Sequence, residues 1–300
     1  MSSTPTLAEL ASEYYRSRSL RPATVYSYNQ SVKAAVRLLG DRPITEYTAD
    51  NIATFRDELG REGRKDHTVA RILRELSALF EFARREREYV SFNVIEDLKI
   101  APPAAPPEPF SEDELKTFFD FAWESDRPVY YQTMFLLLTG CRSNESCVLT
   151  LAQVDPGAEE LDCRSEQCGR LESVPITPLL RLFLKEIPHY YDPYAFHYRN
   201  VHALYRAVKK IIYACGIRNH LTVRSFRETL ETTSQHAGIK KNILSILIQQ
   251  PPADASNDQR RLWESRIKQQ RKDALNLVHT HLFRGLQIRN GFGREVSMSS

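Results

Sequence analysis

Residues 101–109 read Ala-Pro-Pro-Ala-Ala-Pro-Pro-Glu-Pro, and neither a helix nor a central strand can pass through such a run. Each proline fixes φ, lacks an amide donor and bars the α region to the residue before it. Five prolines in nine residues therefore run as stiff polyproline II, at roughly 3 Å per residue and so about 28 Å in all. This divides the chain into a first piece, 1–100, and a second, 110–300, joined by a 101–109 linker. Each piece is long enough to bury a core of its own. A plain spacer and a proline-rich ligand for another protein both fit the linker's composition.

Periodicity makes the first piece helical throughout. Leu7, Leu10 and Tyr14 give one helix, and a second starts at Pro22 and stops at Gly40. A third lies around Ala49 to Gly60. The fourth carries the widest apolar stripe, through Val69, Ile72, Leu73, Leu76, Leu79 and Phe80. Four helices in this length make a compact all-α domain. It holds 16 basic and 15 acidic residues, so only their placement can favour a polyanion; Arg21, Arg61, Arg64, Lys65 and Arg71 are the phosphate-contact candidates.

The second piece opens with a capping box, Ser111 and Glu114, ahead of a helix through Phe118, Phe119 and Ala122. An apolar helix ending at Leu138 meets Thr139-Gly140-Cys141-Arg142-Ser143-Asn144-Glu145. Here the chain restarts with Arg142 and Glu145 one turn apart on a new helix. A buried arginine at a helix start, with a carboxylate one turn on, suits a phosphate or carboxylate clamp, and spacing alone suits a surface ion pair equally. Between Leu149 and Pro175, short apolar pieces broken by Pro156-Gly157 and Gly169 predict a small antiparallel sheet. Residues 195–227 hold seven Lys or Arg and no acidic residue. There Arg199, Arg206, Lys209 and Lys210 back onto Val201, Leu204, Val208 and Ile211, the strongest basic patch of the chain. A second basic amphipathic helix spans Leu262 to Leu282.

Overall charge is only +3, so composition does not announce a nucleic-acid binder. Five cysteines, an odd number in a chain this long, argue for a reducing compartment, and Cys163 and Cys168 lack the second pair a zinc site needs. No signal peptide or bilayer-length apolar run is present. The expectation is a cytoplasmic, nucleoid-associated protein (nuclear in a eukaryote) with no membrane contact.

The Thr139–Glu145 stretch, with Leu149, Leu151 and Asp155 after it, resembles the first active-site box of the tyrosine recombinases, the phage-integrase family. The four-helix first piece resembles that family's core-binding (SAM-like) domain, and Phe110-Ser111-Glu112 resembles the start of its catalytic domain. The resemblance covers roughly residues 5–285. It implies a mainly α protein: a core-binding domain, then a catalytic-like α+β domain with a small antiparallel sheet. It also implies a C-shaped clamp on double-stranded DNA, homo-oligomers on that DNA, and no metal or nucleotide cofactor.

In that family a tyrosine attacks the scissile phosphate, two arginines hold its oxygens, a hairpin lysine protonates the leaving oxygen, and His or Trp residues assist. Arg142 matches the first arginine, with Glu145 beside it, and Arg224 in Leu221-Thr222-Val223-Arg224 matches the second. Gln167 falls at the lysine, and an amide is no general acid; nearby Arg170 stays protonated. Leu221 falls at a histidine position, with His220 one residue early, and Gln249 at another. The nucleophile should fall near Asp258, yet no tyrosine follows Tyr213. A shifted alignment could recruit His279 or His281 as an assisting group, but it supplies no tyrosine. The reading is therefore a DNA-binding protein on a recombinase scaffold, not an enzyme, with Arg142 and Arg224 as a retained phosphate clamp. Further DNA contacts are expected from Arg199, Arg206, Lys209, Lys210, Arg64, Lys65 and Arg71. Two rivals remain: an active recombinase with an unusual nucleophile, a serine such as Ser256 or Ser265 or a tyrosine reaching in from elsewhere, and a protein-interaction module that kept the fold.

Overall fold

In the computed structural model the described residues are 4–98, 100, 107–163, 173–239 and 257–285. They fall into two units, Met1–Ala105 and Pro106–Ser300.

The first unit is built from α1 (Leu7–Ser17), α2 (Pro22–Leu39), α3 (Ala49–Arg61) and α4 (Asp66–Arg85). Local sequence sets the ends. Thr6 and Glu9 close a reciprocal capping box on α1, and Pro22 occupies the first position of α2, where its missing amide is no loss. The apolar stripe of α4 packs Leu73, Leu76 and Phe80 against Leu10, Ala35 and Phe55, all buried. Each such side chain stabilises the fold by roughly 1.5–3 kcal/mol. Arg71, Glu75, Ser27 and Ser31 join α2 to α4 in one polar network.

The second unit contains α5 (Glu112–Ser125), α6 (Arg127–Thr139), α7 (Ser143–Val148), strands β1 (Glu160–Asp162) and β2 (Ser173–Pro175), α8 (Pro178–Glu186), α9 (Val201–Cys215), α10 (Val223–His236) and α11 (Asn257–Gly285). The expected sheet is one antiparallel pair with Leu161 opposite Val174. The start of the predicted strand region forms a single 3-10 turn, Leu151–Gln153, instead. The last helix runs beyond the predicted Leu262–Leu282 at both ends.

Helix α6 has no polar face. Phe135, Leu136, Leu137 and Leu138 are all buried, so it must be surrounded. Phe226 of α10 stacks on Phe110 and meets Phe118 and Phe119 of α5. Arg218 pins the start of the unit: it grips both oxygens of Glu114 at 2.7 and 2.6 Å and also reaches Glu108 and the Pro109 carbonyl. The hydrogen bonds from Arg218 are the main reason the Glu114 carboxyl titrates at about 2.

A buried polar junction lies at His279 of α11, which is fully buried. Its Nε2 lies 2.8 Å from the Leu138 carbonyl and its Nδ1 2.9 Å from Thr177 Oγ1. A carbonyl can only accept, so Nε2 carries the proton and Nδ1 accepts from the Thr177 hydroxyl. Thr177 Oγ1 in turn accepts the Leu180 amide and caps α8. The ring is thus satisfied only when neutral, and burial lowers its pKa from 6.5 to about 4. Such a group adds stability above the unfolded value, and that stability is lost as pH falls from 6.5 through 4. The loss amounts to about 3 kcal/mol when complete. Chemical denaturation at a series of pH values should show this fall, and the His279→Gln variant should show it much reduced.

Candidate functional site

Helix α6 ends at Gly140, whose φ of 66° is left-handed, and two residues later Arg142 begins α7. The Arg142 amide donates to Glu145 Oε2 at 2.8 Å, and its Nη1 donates to Glu145 Oε1 at 3.0 Å. The sequence predicts a buried arginine here. The structure inverts this: the Glu145 side chain is 3% exposed and that of Arg142 is 41% exposed. The carboxylate tolerates burial because a backbone amide and a guanidinium both donate to it. Beneath lie Ser146 and Gln132, whose amide also bonds the Tyr198 backbone and so fastens the segment before α9.

Arg224 lies in the first turn of α10, after the N-cap Thr222, and is exposed. Like Arg142, it places a cation at the positive end of a helix. This arrangement opposes the helix dipole, but it concentrates donors on any anion that approaches. The two arginines stand on elements packed together. An added Cβ on Gly140 would lie 3.0 Å from Leu230 of α10, so α10 presses directly on the turn leading to Arg142.

The surrounding basic residues sort into occupied and outward ones. Arg218 is held by Glu114 and Glu108, and Arg227 pairs with Glu231 at 3.0 Å. Lys209 reaches the Asn219 carbonyl, and its ammonium lies 5.8 Å from the rings of both Tyr205 and Tyr213. Burial lowers its pKa. Lys209 therefore joins α9 to the following loop and is less available for contact than its sequence position suggests. Arg199 stacks on Tyr194. Arg206, Lys210 and Arg224 are exposed and have no carboxylate partner among the described residues.

Tyr205 and Tyr213 are 43% and 64% exposed on the face of Lys209. Their spacing of four on either side of that lysine is the signal that would have shown this stripe. In the first unit Arg71 bonds Glu75 and Ser27, Arg61 bonds Glu58, and Arg64 lies 3.9 Å from Glu62. Lys65 is exposed at the N-cap of α4.

Leu221, where the resemblance implies a histidine, is fully buried and contributes only packing. His220 points to Glu108 at 3.1 Å. His279 is enclosed between α6 and α8 and cannot meet a ligand, while His281 is exposed. Gln167, Gln249, Arg170 and Ser256 lie outside the described residues, as do the side chains of Asp258 and Ser265. No group of three His, Cys, Asp or Glu side chains that could hold a metal ion occurs among the described residues. No described helix is long and apolar enough to cross a membrane.

Residues 8–87 match the model of the phage integrase N-terminal SAM-like domain. A lambda integrase dimer bound to a COC' core site superposes with a TM-score of 0.68 at 17% identity, covering 82% of this chain and 96% of that one. The Tn1549 transposon integrase in complex with circular intermediate DNA gives 0.67 at 17% identity, covering 86% and 98%. Residues 8–87 thus resemble the phage integrase N-terminal SAM-like domain, and the chain shares the fold of these integrases. A lambda integrase tetramer bound to a Holliday junction is also similar, with a TM-score of 0.66 at 16% identity over 84% of this chain and 80% of that one. No curated protein sequence matches.

Near Arg142, Gly140 is poorly open to substitution. Gly140→Ala puts a side chain in left-handed backbone and a methyl against Leu230. It should destabilise the protein by about 1–2 kcal/mol for the backbone alone, measured by urea unfolding.

Proposed function

We propose that this protein binds double-stranded DNA on a tyrosine-recombinase scaffold without cutting it, and serves an architectural or regulatory role. Replication initiation, segregation, transcription control and accessory work in integration are the processes that fit. The observation that carries the reading is a pair of arginines, Arg142 and Arg224, at the starts of two helices that both pack on α6, in a chain with no tyrosine after Tyr213. Two guanidiniums can hold a backbone phosphate by charge-assisted hydrogen bonds. Without a nucleophile in the place where one is needed, no covalent intermediate forms.

The similar structures support the DNA half of the proposal, being integrases bound to a core site, to a Holliday junction and to circular intermediate DNA. They also support assembly as a homo-oligomer on DNA, since two of them are a dimer and a tetramer. Arg206 and Lys210 on α9 would add base or phosphate contacts, and Lys65 a phosphate contact from the first unit. Arg64 and Arg71 would first have to leave their carboxylates, so their contribution is smaller.

Selection of bound sequences from randomised duplexes, followed by titration of the winner at several salt concentrations, tests this. Binding should weaken steeply with salt. Arg142→Ala and Arg224→Ala should each lose on the order of tenfold to a hundredfold in affinity, as expected for a charged hydrogen bond, with circular dichroism unchanged. An absence of duplex binding at low salt would reject the proposal and leave a protein-interaction module.

A further inference from the structure

Cys141 directly precedes Arg142, and Cys163 directly follows β1. Their sulfur atoms are 2.8 Å apart, and both residues are buried. Both are free thiols. The other described cysteines have different neighbours: Cys147 Sγ lies 3.6 Å from the Gln132 amide and Cys215 Sγ 3.8 Å from the Thr117 carbonyl. Cys141 and Cys163 are thus the one pair of sulfurs brought together among the described residues.

We propose that Cys141 and Cys163 form a reversible disulfide that staples the turn carrying Arg142 to the end of β1. Covalent S–S length is about 2.05 Å, so the sulfurs must approach by less than an ångström, within reach of small χ1 rotations. The oxidant required is a small peroxide. One sulfur, as thiolate, attacks a peroxide oxygen; the O–O bond breaks, giving a sulfenic acid and, with one proton, water. The second sulfur then attacks the sulfenic sulfur. The S–S bond forms, the S–O bond breaks, and the departing hydroxide leaves as water with the second thiol's proton. Two electrons pass from the sulfurs to hydrogen peroxide, and two waters are released.

The surroundings set the rate and the consequence. The neighbouring Cys141 and burial hold the Cys163 thiol well above its usual range, so Cys163 stays protonated and reacts slowly near neutrality, faster at alkaline pH. Once formed, the bond spans two segments 22 residues apart in sequence, restricting the unfolded chain. Arg142 keeps its amide and guanidinium contacts to Glu145, so the staple fixes the turn without removing the exposed cation.

The full-length protein, treated with hydrogen peroxide at pH 8, alkylated in denaturant and digested without reduction, provides the test. Mass spectrometry should find the Cys141 and Cys163 peptides joined, two hydrogens lighter than their sum and separated by dithiothreitol. The oxidised protein should melt several degrees higher than the reduced one, and Cys141→Ser should lose both the link and the shift. Cys168→Ser should retain both, which excludes pairing through Cys168 and keeps the test valid if Cys141→Ser fails to fold. Full alkylation of Cys141 and Cys163 after peroxide, or a link from Cys163 to Cys168, would overturn the proposal.

Discussion

The end of helix α6 is the point on which the second unit depends. Its Leu138 carbonyl, within the last turn, would be an orphan acceptor in a dry core, and His279 supplies the missing donor. The same ring reaches Thr177, which caps α8, so one neutral imidazole ties together three helices. Two residues past Leu138, Gly140 turns left-handed beneath Leu230 of α10, and two residues further on stands Arg142. The position of the first arginine, and its relation to the helix carrying the second, therefore follow from how α6 is terminated.

Glu145 completes this local frame. It is buried, and it holds the Arg142 backbone and guanidinium at once. Burying a carboxylate is costly unless donors surround it. In exchange the Arg142 guanidinium is fixed in place, with its side chain partly exposed. The positive ends of α7 and α10 reinforce it. On the proposed reading the site has retained its charge and lost its proton donors and nucleophile, so it can hold a phosphate but has no route to break the ester.

Much of the architecture was legible because its determinants are local. The capping box at Ser111 and Glu114, the stop at Gly40 and the stripe of α4 all lie within a few residues of what they control. The Arg142 box and the Arg224 helix start were legible for the same reason. Burial and pairing were not, because they depend on residues distant in sequence. Nothing near Arg218 shows that it will hold Glu114, over a hundred residues away, and nothing near His279 shows that it will bond Leu138. The basic stretch looked uniform in sequence, but the fold occupies Arg218, Arg227 and Lys209 and leaves Arg206, Lys210 and Arg224 facing outward. The inverted exposure of Arg142 and Glu145 has the same origin: spacing reveals the pair, and only packing decides which member is covered.

The most direct test of a clamp without a nucleophile is covalent trapping. The protein would be incubated with nicked suicide duplexes bearing its selected site and resolved under denaturing conditions. The account predicts that the duplex is bound before denaturation and that no protein–DNA adduct survives it. An adduct that persists, and that maps to a side chain of this protein, would contradict the account and identify a nucleophile.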